Sequence, residues 1–256
     1  MKILKSKKIK FAALLLASAL LAASPAFAKT RVMVYGDSNT FGWTENSDGV
    51  VSRLPVEKTW PGVMAADLGE NYEIVTEGLG GRTAGADRPL GNGSGIVEGA
   101  GMNGAEYLPA ALSSHMPLDL VVIMLGTNDM GAALNRSAEE IALDLGRLVV
   151  IVRKADWQRC TNFPAPEVLL VSPPRLDVKN PKTRGFYAGS LAKSEKLPKI
   201  LKPIADAVGA HFMDAAQIVP FAEGADELHL TPENHKALGK AAAKEVRRII
   251  GAKNAN

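Results

Sequence analysis

Four kinds of side chain that can do chemistry together each follow an apolar run in this sequence. Ser38 closes Val32-Met33-Val34-Tyr35-Gly36-Asp37-Ser38, Gly80 and Gly81 follow 72–76, and Asn128 follows Leu118 to Leu125. Asp226 and His229 lie three apart in a loop after His211-Phe212-Met213. A serine hydroxyl is a weak nucleophile until a neutral imidazole takes its proton. The imidazole needs a carboxylate on its other nitrogen to fix the tautomer and stabilise the cation. Asp226 and His229 can meet within one turn, without help from a distant element. The oxyanion of a tetrahedral intermediate then needs preorganised donors. The N–H of Ser38, a glycine N–H from Gly80 or Gly81 and the side-chain amide of Asn128 would supply three. Alone, Asp37-Ser38-Asn39 reads equally well as turn formers capping a helix, so the case rests on where the fold puts the other groups.

The elements that must position them alternate along the chain. Strands are expected at about 31–35, 72–76, 118–125, 168–171 and 211–213. The third is apolar on both faces, as a central parallel strand should be. Helices are expected at 60–68, closed by Gly69, at 106–115, and from the capping box Ser137-Ala138-Glu139-Glu140 to about 154. Two more are expected at 191–208, made irregular by Pro198 and Pro203, and from Pro232 to about 250, N-capped by Thr231. This alternation predicts an α/β fold, a three-layer α/β/α sandwich around a mostly parallel five-stranded sheet. Such sheets bind ligands beyond the carboxyl ends of their strands. Ser38, Gly80, Gly81, Asn128, Asp226 and His229 all fall on that edge. Ordinary turn residues have no reason to converge there.

Together these blocks resemble the SGNH (GDSL-type) hydrolases. The blocks are Gly36-Asp37-Ser38, the glycine turn after the second strand, Gly126-Thr127-Asn128-Asp129 and Asp226-x-x-His229, in the family's order and across nearly the whole chain after residue 28. The strings at 36–43, 77–83, 107–109, 118–129 and 171–174 resemble one branch more closely, the oligomeric arylesterase/acyltransferases. The resemblance implies a flavodoxin-like sheet, Ser38 as nucleophile, His229 as base and Asp226 as its orienting acid. It implies oxyanion donors at Ser38, Gly81 and Asn128, Gly81 because Gly81-Arg82-Thr83 fits the family's Gly-x-Thr, with Gly80 as the fallback. It also implies a small ester substrate, no cofactor, and a homo-oligomer. Two stretches depart from the branch, the glycine-rich loop 84–104 and the charged loop 175–190.

Other residues carry bland readings. Trp43 is placed either in the core or lining the substrate pocket, and Phe41 in the core. Asp37 and Asp129 are expected to stabilise turns, Asp129 holding the Asn128 amide. His115 is expected to cap a helix C-terminus, and His211 and His235 to pack or face solvent. Cys160 is the only cysteine, which excludes an intrachain disulfide. No histidine pair has metal-ligand spacing, so no metal site is expected. The glycines after the second strand do not form a dinucleotide fingerprint.

The first 28 residues read as a secretory signal peptide. Five lysines precede an apolar or small run from Phe11 to Ala23, and Ala26-Phe27-Ala28 offers small residues two apart before the cut. Cleavage after Ala28 leaves 228 residues as a single expected domain, with 25 basic and 27 acidic side chains. The basic balance of the whole chain therefore belongs to the leader, and gives no reason to expect nucleic acid or anionic lipid as partner. No later stretch is apolar enough for a membrane span. The expectation is an exported, secreted or periplasmic serine esterase acting on short-chain acetyl-type, aryl or alkyl esters, with acyl transfer to alcohols as a second outcome. The alternatives are a carbohydrate O-acetylesterase and a non-catalytic exported binding protein.

Overall fold

The computed structural model describes residues 28–46, 48–88, 100–154 and 163–254. Residues 1–27 of the expected 28-residue signal peptide, Cys160 and the middle of the glycine-rich loop lie outside the described residues. In chain order the elements are β1 (Thr30–Gly36), α1 (Ser38–Phe41), β2 (Trp43–Glu45), β3 (Val51–Arg53), α2 (Trp60–Leu68), β4 (Tyr72–Gly78) and α3 (Gly104–His115). They continue with β5 (Leu120–Met124), α4 (Ala138–Arg153), β6 (Glu167–Ser172), α5 (Ser190–Ala207), β7 (His211–Asp214) and α6 (Pro232–Asn254).

Five strands pair in the order β4-β1-β5-β6-β7, every pairing parallel. Alternate side chains of each strand go to opposite faces. Met33, Tyr35, Val121, Ile123, Val168 and Leu170 pack under α3, α4 and α5. Val32, Val34, Leu120, Val122, Met124, Leu169 and Val171 pack under α2 and α6. With both faces covered, β5 has no polar side: all five of its residues are buried. Each is worth roughly 1.5–3 kcal/mol of burial.

The helix signals act as their chemistry requires. Ser137 and Glu140 close a reciprocal capping box at the start of α4. Thr59 accepts the Gly62 N–H and Pro61 occupies the first turn of α2. Pro198 and Pro203 are accommodated inside α5. Three local readings change. The stretch 43–53, read as loop, holds the antiparallel ribbon β2–β3. His115 does not simply cap α3, because its Nε2 lies 2.7 Å from Glu77 Oε1 while its carbonyl accepts from Arg31. Phe41 is only half-buried, with the Arg53 guanidinium 3.9 Å over its ring.

The strand order fixes what the loops must do. Ser38, Gly81 and Asn128 follow β1, β4 and β5, three adjacent strands. β7 lies three strands from β1, roughly 14 Å at the usual spacing. The segment after β7 must therefore cross back over the carboxyl ends of β6 and β5 to bring a side chain to Ser38.

Candidate active site

Ser38 opens a single helical turn that the chain makes immediately after β1. The Asp37 carboxylate accepts the Asn39 N–H at 2.9 Å and so caps that turn. Gly42, in the left-handed region, ends it. The turn lies close against the neighbouring strand because Gly78 has no side chain. A Cβ there would stand 2.5 Å from Phe41 N and 2.8 Å from Phe41 Cα. Burial pushes the Asp37 carboxyl up to about 6 against the Asn39 N–H and nearby positive charge. Its cap geometry matches the turn-stabilising role expected for it.

The acid and the histidine come from one tight loop. His229 Nδ1 is 2.5 Å from Asp226 Oδ2, and His229 Nε2 is 2.9 Å from Ser38 Oγ. The second carboxylate oxygen of Asp226 accepts the backbone N–H groups of Leu228 (3.1 Å) and His229 (2.9 Å). The loop closes on itself through Gly224 N–H to His229 O at 2.9 Å. Burial alone would raise the Asp226 carboxyl; the hydrogen bond and positive charge of His229, with the two backbone donors, outweigh it and hold the group below the usual carboxylate value. Trp43 stacks on the imidazole, ring centroids 5.7 Å apart and planes 24° apart.

Sequence reasoning gave Asn39 no role beyond turn forming. Its Oδ1 accepts the Leu230 N–H at 3.0 Å and its Nδ2 donates to the Leu228 carbonyl at 3.3 Å. One side chain on the serine's turn thus grips the backbone on both sides of His229. The charged loop 175–190 grips the same loop from outside. Glu227, at φ +57°, accepts the N–H groups of Lys179 and Asn180, and Asn180 Nδ2 donates to Ala225 O at 3.1 Å.

On the opposite wall Gly81 adopts φ +84°, a conformation that L side chains rarely adopt. Among the described residues neither the Gly81 N–H nor the Ser38 N–H has an acceptor. Asn128 Nδ2 donates to Arg82 O at 3.0 Å, while its Oδ1 faces Tyr187 OH (3.4 Å) and Arg88 Nη1 (3.5 Å). That arrangement turns the amide nitrogen, not its oxygen, away from Tyr187 and Arg88. Asp129 does not hold this amide; both its oxygens take the Ala84 N–H, at 3.0 and 2.9 Å. Burial pushes its carboxyl up to about 7. Arg82, fully buried beneath the site, donates to Gly36 O (3.0 Å) and to Glu77 O, tying the ends of β1 and β4 together.

These groups enclose a cavity of about 80 Å³ lined by Ser38, Trp43, Gly80, Gly81, Arg88, Asn128, Tyr187, Leu228 and His229. Every sequence-expected site residue except Asp226, which stands behind His229, reaches this lining, and Trp43 lines the pocket rather than filling the core. Arg88, Tyr187 and Leu228 were not anticipated. Arg88 and Tyr187 come from the loops 84–104 and 175–190, which depart from the branch. His235 is separate from the site: fully buried, it accepts the Trp60 N–H on Nδ1 at 3.0 Å. A larger cleft of about 530 Å³ between α2 and α6 holds none of the site residues. Among the described residues no group of His, Cys, Asp and Glu is arranged to hold a metal ion.

Residues 34–237 match the model of the GDSL-like lipase/acylhydrolase family. Among solved structures, Est24, a carbohydrate acetylesterase from Sinorhizobium meliloti, is 39% identical, with a TM-score of 0.79 over 86% of this chain and 100% of that one. The aryl esterase of M. smegmatis is 37% identical, with a TM-score of 0.78 over 86% of this chain and 99% of its own. A carbohydrate acetylesterase family member from Sinorhizobium meliloti is 34% identical, with a TM-score of 0.76 over 87% and 99%. No curated protein matches the chain.

Proposed function

The chain belongs to the GDSL-like lipase/acylhydrolase family, a family of esterases with the SGNH fold, and from that premise we propose that it hydrolyses short-chain esters through an acyl-enzyme on Ser38. The observation that carries this reading is the unbroken line Ser38 Oγ to His229 Nε2 (2.9 Å) and His229 Nδ1 to Asp226 (2.5 Å). Ser38 Oγ attacks the ester carbonyl as its proton passes to His229 Nε2. Asp226, kept ionised, stabilises the imidazolium that results. The N–H groups of Ser38 and Gly81, with the Asn128 amide, receive the oxyanion. His229 then protonates the departing alcohol. A water activated by the same imidazole releases the acid and frees Ser38, and an alcohol in its place receives the acyl group instead.

The small cavity supports a short acyl group. Trp43, stacked over His229, supports a leaving group that departs along an aromatic wall. Likeness to Est24 favours a second reading in the same chemistry, deacetylation of acetylated sugars. Export rests on the leader ending at Ala28, with the rest of the chain acting as one catalytic domain. Among the described residues no helix is long and apolar enough to cross a membrane. Assembly into a homo-oligomer rests on the branch resemblance alone.

The test is covalent and kinetic together. Wild type is labelled by a fluorophosphonate probe and cleaves 4-nitrophenyl acetate. Ser38→Ala loses the label, and its kcat falls by roughly 10⁴–10⁶. Equal hydrolysis by the two would remove Ser38 as nucleophile, and absence of labelling in wild type would favour a binding protein. Acetate release from acetylated xylose compared with aryl acetate separates the two substrate readings.

A further inference from the structure

One charge in the serine cavity has no part in the hydrolysis just described. Arg88 lines the cavity beside Ser38 and Asn128. Its Nη1 donates to the Gly81 carbonyl at 3.2 Å and lies 3.5 Å from Asn128 Oδ1. Both partners are neutral, and among the described residues Arg88 makes no ion pair. The carboxylates around the site are already engaged. Asp37 caps α1, Asp129 takes the Ala84 N–H, Asp226 holds His229, and Asp87 accepts from Asn103 Nδ2 at 2.9 Å. Among the described residues no acidic side chain lines the cavity.

A half-buried guanidinium with only neutral partners among the described residues has lost hydration that these two contacts replace in part, and a bound anion offsets the remaining cost. One arm of the fork is fixed on Gly81 and Asn128. The Nε and Nη2 donors have no acceptor among the described residues, and such a fork matches a carboxylate with two parallel hydrogen bonds. Its position also selects which half of an ester carries that carboxylate. His229, which protonates the leaving alcohol, is covered by Trp43. Arg88 stands on the other wall, against the residues that supply the oxyanion donors.

Resting on the esterase reading, we propose that Arg88 is the counter-ion for a carboxylate at the far end of the acyl group, making half-esters of short dicarboxylic acids the preferred substrate class. Hydrolysis adds one water, releases the alcohol and one proton to solvent, and leaves the dicarboxylate; Arg88 binds and exchanges no proton.

The experiment compares monoethyl succinate with its neutral isostere ethyl 4-methylpentanoate in a pH-stat, with 4-nitrophenyl acetate as the reference ester. The readout is the ratio of kcat/KM for the anionic over the neutral ester. In Arg88→Gln the ratio falls about 10–100-fold, the range of a charge-assisted hydrogen bond. Arg88→Lys recovers part of it, and raising salt lowers it in wild type more than in Arg88→Gln. A ratio in Arg88→Gln within twofold of wild type overturns the proposal. So does a wild type that cleaves 4-nitrophenyl acetate but not monoethyl succinate. Failure on all three esters would instead overturn the esterase reading itself.

Discussion

Replacing Asn39 by leucine removes the only side chain that ties the serine's turn to both flanks of His229 among the described contacts. The volume is nearly kept, and two hydrogen bonds go: Leu230 N–H to Oδ1 (3.0 Å) and Nδ2 to Leu228 O (3.3 Å). Leu230 is 1% exposed, so its N–H is stranded at a cost of about 1–3 kcal/mol. Leu228 is half-buried, and water partly replaces its partner, at the low end of that range. The sum is roughly 2–4 kcal/mol, or a Tm lowered by roughly 5–15 °C for a chain of this size. The Asp226–His229 loop keeps its own internal hydrogen bonds, so it relaxes as a unit and widens the 2.9 Å contact with Ser38. A displacement near 1 Å at reacting groups costs about 10²-fold. The assay is kcat per site titrated with the fluorophosphonate, with KM and Tm measured in parallel. Titration separates misplacement from misfolding: a misplaced imidazole lowers kcat per labelled site, whereas partial unfolding lowers only the number of sites. A kcat per titrated site within threefold of wild type would refute the claim that Asn39 sets the position of His229.

Three further outcomes follow from the same geometry. Asn128→Ala lowers kcat by about 10²–10³ with a smaller change in KM, the loss of one oxyanion donor; steady-state kinetics on 4-nitrophenyl acetate checks it, and an unchanged kcat would remove Asn128 from that role. Gly78→Ala drives a Cβ to 2.5 Å from Phe41 N, lifting the turn that carries Ser38 and costing about 1–3 kcal/mol; both Tm and kcat fall, and a variant equal to wild type in both contradicts the close approach. His235 is held neutral by burial, its pKa lowered from 6.5 to about 4. The fold therefore gains from the neutral ring above pH 6.5 and loses that gain as pH falls through 4, on the order of 3 kcal/mol. His235→Asn keeps an acceptor for the Trp60 N–H and cannot charge, so its Tm declines less steeply between pH 6.5 and 4; parallel Tm–pH curves would show that another group governs acid stability.

Ser38, Gly81, Asn128 and the Asp226/His229 pair were legible because each stands at the end of an apolar run or inside a turn. Runs of apolar residues locate strands, and strand ends in a parallel sheet share one edge. The same logic located all five sheet strands and the capped helices, since period and caps are local signals. Arg88 and Tyr187 were not legible. They sit in loops whose paths are set by long-range hydrogen bonds, such as Glu227 taking the Asn180 N–H across 47 residues. Asn39 was hidden for a different reason: beside a serine in a turn its amide looked fully explained by local chemistry, while its partners lie 189 and 191 residues away. The ribbon β2–β3 is too short for its alternation to register. His115 was misjudged because its partner, Glu77, stands on a neighbouring strand rather than in its own helix.

The two contacts that define the proposed catalytic line differ greatly in chain separation. Asp226 and His229 are 3 residues apart, whereas His229 and Ser38 are 191 apart. The first costs almost no loop-closure entropy and the second closes a loop of 191 of the 256 residues. The acid–base pair is thus a portable unit that a short C-terminal stretch can form early, while the serine joins it only after β1 and the last segment meet. Hydrolysis then requires that both of these parts of the chain have folded against each other. A protein cut between β7 and residue 224 would regain activity only when the two pieces bind each other, which makes the reaction itself a reporter of whether the chain's beginning and end have met.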